Sequence, residues 1–121
     1  METKMLRILL ADNNQDSRSA LALLLETRLN ATIVGAASTM EDLLEQAAAT
    51  RPDVVLLDWG LPGKPDADRI VVIRSVTPGA RVVVLSARPE SASQAREADA
   101  FVNKTDPPER ILATLKERNE K

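Results

Sequence analysis

The sequence predicts an α/β fold, a doubly wound parallel sheet of five strands with a helix after each. Three observations carry this prediction. Apolar runs alternate with segments of helical periodicity along the whole chain. The runs VVLL and RVVVL contain no internal polar residue, which marks strands buried on both faces of a parallel sheet. Finally, βα repeated five times forces right-handed crossovers and helices on both sheet faces, and 121 residues suit one such domain, with no output domain expected within 1–121.

The first strand is expected at Met5–Ala11 (MLRILLA) and the second at Ala31–Ala37 (ATIVGAA). Val54–Leu57 and Arg81–Leu85 follow, with a weaker fifth strand at Ala100–Val102. Asp16–Arg28 reads as the first helix, with Ala20, Leu21, Leu24, Leu25 and Arg28 on one face. Thr39–Ala49 is the second, capped by Ser38, with Leu43, Leu44 and Ala47 sharing a face. Asp68–Val76 is the third and stops before Pro78-Gly79. Pro89–Ala98 is a short, apolar-poor fourth. Asp106 is placed as the cap of the fifth helix and Pro107 at its first position, with Ile111, Leu112 and Leu115 facing inward.

Composition narrows the chemistry. Apolar residues are 44% and charged residues 28% of the chain, which suits a soluble globular domain. Trp59 and Phe101 are the only aromatics, so the core rests on Leu, Val, Ile and Ala. With neither cysteine nor histidine present, disulfides, thiolate or imidazole metal sites and histidine acid–base catalysis are excluded. A bound metal must then take oxygen ligands, as Mg²⁺ does. A net charge of -2 without a dense basic run argues against direct nucleic-acid binding. With neither a signal-peptide pattern nor a membrane-spanning stretch, the expected location is cytoplasmic.

In such sheets ligands bind beyond the C-terminal strand ends. Those ends carry Asp12-Asn13-Asn14, Asp58-Trp59-Gly60, Ser86-Ala87 and Asn103-Lys104. Two acids, an amide, a hydroxyl and an ammonium on one rim are the parts that phosphoryl transfer needs: oxygen ligands for a metal, a nucleophilic carboxylate and a cation for a phosphoryl oxygen. Each part alone has an ordinary explanation. Asp12, Asn13 and Asn14 suit a helix cap, Asp58 a turn, and Lys104 a solvated surface position.

Taken together, RPDVVLLDWGLPG (Arg51–Gly63), LRILLADN around Asp12, LSA (Leu85–Ala87) and FVNK (Phe101–Lys104) resemble the motifs of response-regulator receiver domains, in the same order along the whole chain. The resemblance implies a flavodoxin-like sheet in the order 2-1-3-4-5. It also implies a phosphorylation-controlled signalling switch rather than an enzyme, with at most Mg²⁺-dependent self-phosphorylation and autodephosphorylation. Asp58 would accept the phosphoryl group from a histidine kinase or phosphotransfer protein in a two-component phosphorelay. Asp12, Asn13, Asp58 and the Gly60 carbonyl would hold Mg²⁺; Ser86 and Lys104 would bind the phosphoryl group. Phe101 would turn inward with Ser86 as the switch. The face from the fourth to the fifth helix would meet an output partner or a second copy.

Three features depart from the family pattern. Asn13 stands where a second acid is usual, which weakens the Mg²⁺ site by about 10- to 100-fold on Coulomb grounds. Ser86 and Lys104 lie closer in sequence than is usual, by about one helical turn, which predicts a short or irregular fourth helix. Thr105 follows Lys104 where proline is common, so no cis peptide is expected there. Asn13 also motivates an alternative, a degenerate receiver that binds partners without phosphorylation. A flavodoxin-like cofactor-binding enzyme is more remote, because DNNQDSR lacks the glycine-rich phosphate loop. A haloacid-dehalogenase-like phosphatase would want an acid where Gly60 stands.

Overall fold

The computed structural model describes residues 5–63 and 66–117. The first four and last four residues, including the end of the LKERNEK segment, lie outside the described residues. The chain order is β1 (Arg7–Ala11), α1 (Gln15–Arg28), β2 (Thr32–Ala37), α2 (Met40–Thr50), β3 (Val54–Asp58), α3 (Asp66–Val76), β4 (Arg81–Ser86), α4 (Ser91–Gln94), β5 (Ala100–Asn103) and α5 (Pro108–Glu117). All strand pairs are parallel and the sheet order is β2-β1-β3-β4-β5, the expected doubly wound, flavodoxin-like arrangement.

Strand alternation divides the core into two layers, because successive side chains point to opposite faces. Ile8, Leu10, Val54, Leu56, Val83, Leu85 and Val102 share one face with Leu25 of α1 and Ile111, Leu112 and Leu115 of α5. Leu9, Ala11, Val55, Leu57, Val82 and Val84 line the other, against Met40 and Leu43 of α2 and Ile70 and Ile73 of α3. The inward faces predicted for α2 and α5 are therefore present.

Several local expectations are corrected. The α2 cap is Thr39, whose hydroxyl accepts from the Asp42 N–H at 3.1 Å, rather than Ser38. Two adjacent hydroxyl residues gave the sequence no means of choosing. On α1, Ala20 and Arg28 are exposed, and Leu25 alone of the predicted face is fully buried. Helix α5 starts at Pro108 instead of Pro107; either proline suits a first turn whose N–H groups have no helical acceptor. The fourth helix is four residues long, not the full Pro89–Ala98. Short helices persist only through packing, and among the described residues of this segment Ser91 and Ala95 are buried.

Gly63 fixes the loop that follows β3. Its φ of +135° disfavours any side chain, and an added Cβ would stand 2.5 Å from Met40 Cβ. The Met40 N–H also donates to the Pro62 carbonyl at 3.0 Å, tying this loop to the start of α2.

Candidate functional site

The same alternation aims the rim residues. Asp12 continues the face of Ile8 and Leu10, Asp58 that of Val54 and Leu56, and Lys104 that of Val102. Three chain-distant side chains thus meet over the strand ends. Lys104 Nζ donates to Asp58 Oδ2 at 3.1 Å and to Asp12 Oδ2 at 3.3 Å. The Asp12 side chain is 5% exposed and that of Asp58 13%, against 30% for Lys104.

The remaining carboxylate oxygens shape the loops. Asp12 Oδ1 accepts the Asn14 N–H at 2.9 Å, and Asn14 Oδ1 in turn caps α1 through the Ser17 N–H at 2.8 Å. Capping therefore falls to Asn14, which leaves Asp12 aimed at the site. Arg18 donates to the Asp12 carbonyl at 2.6 Å, fastening the β1–α1 loop from the helix side. Asp58 Oδ1 accepts the Gly60 N–H at 3.1 Å, and the Asp58 carbonyl accepts the Leu61 N–H at 3.0 Å.

Burial pushes the Asp12 carboxyl upward, but the Asn14 N–H, the Ser17 side chain, Lys104 and Asp58 outweigh it and hold its pKa below the usual value. Burial likewise opposes charge on Lys104, yet the two carboxylates prevail and raise its pKa. Within this triad, Asp12 and Lys104 are thereby each held in the charged form.

Ser86 lies on the opposite parity and does not join the triad. It is buried, its hydroxyl accepts the Arg88 N–H at 3.0 Å and it stands 3.2 Å from Ser91 Oγ. It still lines the same cleft as Asp58, Gly60 and Lys104, an opening of about 560 Å³. Asn13 is exposed at the rim and does not line that cleft. Phe101 is half-buried against the α2–α3 side, less enclosed than a core residue. Trp59 is 5% exposed, packs into that same layer and also lines the cleft beside Asp58.

Two residues that sequence reasoning missed complete the site. Ser91 holds Ser86. Arg69, on α3 and only 4% exposed, donates to the Trp59 carbonyl at 2.9 Å and to the Leu61 carbonyl. Its one signal in the sequence is a charge directly beside Ile70, on the stripe that Ile73 continues. A separate apolar groove of about 410 Å³ begins at Lys104 and runs between α1 and α5, lined by Leu21, Leu24, Pro107 and Ile111 among others.

Known proteins share the family and the fold. The family model described as the response regulator receiver domain matches residues 8–116. The sensory transduction protein LytT of Bacillus cereus is 33% identical over 114 residues, covering 93% of this chain and 46% of that protein. The nitrate/nitrite response regulator NarL of Escherichia coli K12 is 30% identical, covering 89% and 52%. The chain thus spans about half the length of these curated relatives. Among solved structures, the signal receiver domain of NarL from Mycobacterium tuberculosis superposes with a TM-score of 0.85 at 27% identity, covering 96% of this chain and 97% of that one. A Burkholderia pseudomallei response regulator, solved with a phosphorylated aspartic acid, a calcium ion and citrate, gives 0.77 at 28% identity and covers 89% and 65%.

Proposed function

Because the chain belongs to the response regulator receiver family, and so to two-component signalling, we propose that Asp58 is the carboxylate that takes up its phosphoryl group. The observation that carries this reading is Lys104, which reaches Asp58 and Asp12 together at the strand ends.

The donor is a histidine kinase or phosphotransfer protein. The Asp58 carboxylate attacks phosphorus, a P–O bond forms, and the P–N bond to the donor histidine breaks, with the electron pair leaving on the ring nitrogen. Lys104 gives up its bond to Asp58 for a phosphoryl oxygen, offsetting charge as it develops. The donor has to cover this rim, and the apolar groove between α1 and α5 borders Lys104 directly.

The donor set fits Mg²⁺. The carboxylates of Asp12 and Asp58 and the Gly60 carbonyl are hard oxygen ligands, and the Asn13 amide, exposed at the rim, would join them only by turning inward. Among the described residues, nothing donates to the Gly60 carbonyl. Mg²⁺ at these residues would neutralise charge on the phosphoryl oxygens. Asn13 lowers the charge of the set by one relative to a carboxylate.

Phosphorylation adds charge and acceptor oxygens beside Ser86. The Ser86 hydroxyl then leaves Ser91 for the phosphoryl group, Phe101 moves inward, and the face from α4 to α5 presents a changed surface to an output partner or a second copy. Among the described residues no helix is long and apolar enough to cross a membrane; with a kinase as donor, the domain works in the cytoplasm.

Peptide mapping after phosphorylation tests the assignment. A phosphoryl group located on the peptide that contains Asp58 supports it; one located elsewhere rejects it.

A further inference from the structure

Arg69 is the most deeply buried arginine of the described residues, and burying a guanidinium is unfavourable unless its donors are bonded. Two of its donors hold the loop after β3. One arm donates to the Trp59 carbonyl at 2.9 Å and the other to the Leu61 carbonyl. The guanidinium carbon also lies 5.7 Å from the centre of the Trp59 ring, within reach of a cation–π contact.

The two bonded carbonyls flank Gly60. Of the three consecutive carbonyls at 59, 60 and 61, only that of Gly60 receives no donor from the described residues. Gly60 is also the residue best able to let the neighbouring peptides rotate. Crowding does not require a glycine there, since an added Cβ would meet nothing nearer than Asp58 Oδ1 at 3.7 Å. Its φ lies outside the left-handed region. The loop is therefore soft at a residue that lines the cleft, and Arg69 clamps it on both sides.

We propose that Arg69 is a positioning residue for the cation site, holding the Gly60 carbonyl in place by fixing the carbonyls before and after it. The inference rests on the reading of Gly60 and Asp58 as cation ligands. Lysine at 69 keeps the charge but cannot bond both carbonyls in the fixed geometry of the fork. Helix α3 is thereby coupled to the metal without touching it, as outer ligands of metal sites commonly are.

The test is a Mg²⁺ titration of the intact chain, followed by the midpoint of the Trp59 fluorescence change, for the native protein, Arg69→Lys and Arg69→Gln. Thermal unfolding shows that each variant is folded. The expected result is a midpoint raised about 10-fold in both variants, the size typical of losing an outer-shell partner. Phosphoryl uptake from acetyl phosphate should fall at low Mg²⁺ and return to the native level at saturating Mg²⁺. Adding Gly60→Ala to Arg69→Lys should recover part of the loss, because alanine restricts the backbone that the arginine no longer holds. An unchanged midpoint overturns the proposal, as do uptake that stays depressed at saturating Mg²⁺, a native protein that does not bind Mg²⁺, and failure of both variants to fold. A native protein that binds Mg²⁺ but takes up no phosphoryl group rejects the phosphorylation reading instead, and the titration alone then decides the role of Arg69.

Discussion

Lys104 Nζ stands 3.1 Å from Asp58 Oδ2 across 46 residues of sequence. The same ammonium reaches Asp12 at 3.3 Å, so one cation offsets two carboxylates before any phosphoryl group arrives. A phosphoryl oxygen can replace either carboxylate at Lys104 without leaving the ammonium unpaired.

The triad makes stability depend on pH at both ends. Asp12 has a lowered pKa, so its contribution is present above about 3.9 and is lost as pH falls below that value. Lys104 has a raised pKa, so its contribution is full below about 10.4 and is lost as pH rises beyond it. In Lys104→Met the alkaline loss should vanish and the acid loss shrink. At neutral pH the cost should be about 1 kcal/mol, since the pair is partly solvated. Urea midpoints across the pH range check this; superimposable profiles for the two proteins would contradict it.

Asn13→Asp restores a full negative charge at the exposed edge of the cation site. Mg²⁺ should then bind about 10- to 100-fold more tightly. Trp59, adjacent in sequence to Asp58, reports the titration. An unmoved midpoint would mean that residue 13 takes no part in holding the ion.

Ser91→Ala removes the hydroxyl that stands 3.2 Å from Ser86 Oγ. The unphosphorylated domain should lose about 1 kcal/mol. With beryllofluoride as a phosphoryl mimic the loss should be smaller, because Ser86 then bonds the mimic. Equal losses in the two states would show that Ser86 keeps its partner throughout.

Gly63→Ala forces a side chain onto a φ of +135° and against Met40. The expected cost is at least about 1 kcal/mol, read by thermal unfolding. A variant as stable as the native chain would show that the loop readily rearranges.

The sheet and its rim were legible because both follow from a period of two. Residues 8, 10 and 12 share a face, as do 56 and 58, and 102 and 104, so an apolar residue two places earlier aims each charged one. The same arithmetic sends Ser86 to the other side, which inspection of strand ends alone did not reveal. Helical positions were harder to read. An arginine in an apolar stripe usually extends along the surface to place its charge in water, and nothing in the sequence said that Arg69 would instead turn onto the carbonyls of Trp59 and Leu61. The close spacing of Ser86 and Lys104 did announce a short α4, though not which four residues of Pro89–Ala98 would form it.

The most direct test of the central claim is the intact mass of the native protein and of Asp58→Asn after incubation with acetyl phosphate, with and without Mg²⁺. One Mg²⁺-dependent phosphoryl addition to the native chain is expected and none to the variant, both remaining folded. Equal addition to Asp58→Asn, or none to the folded native chain, would contradict it.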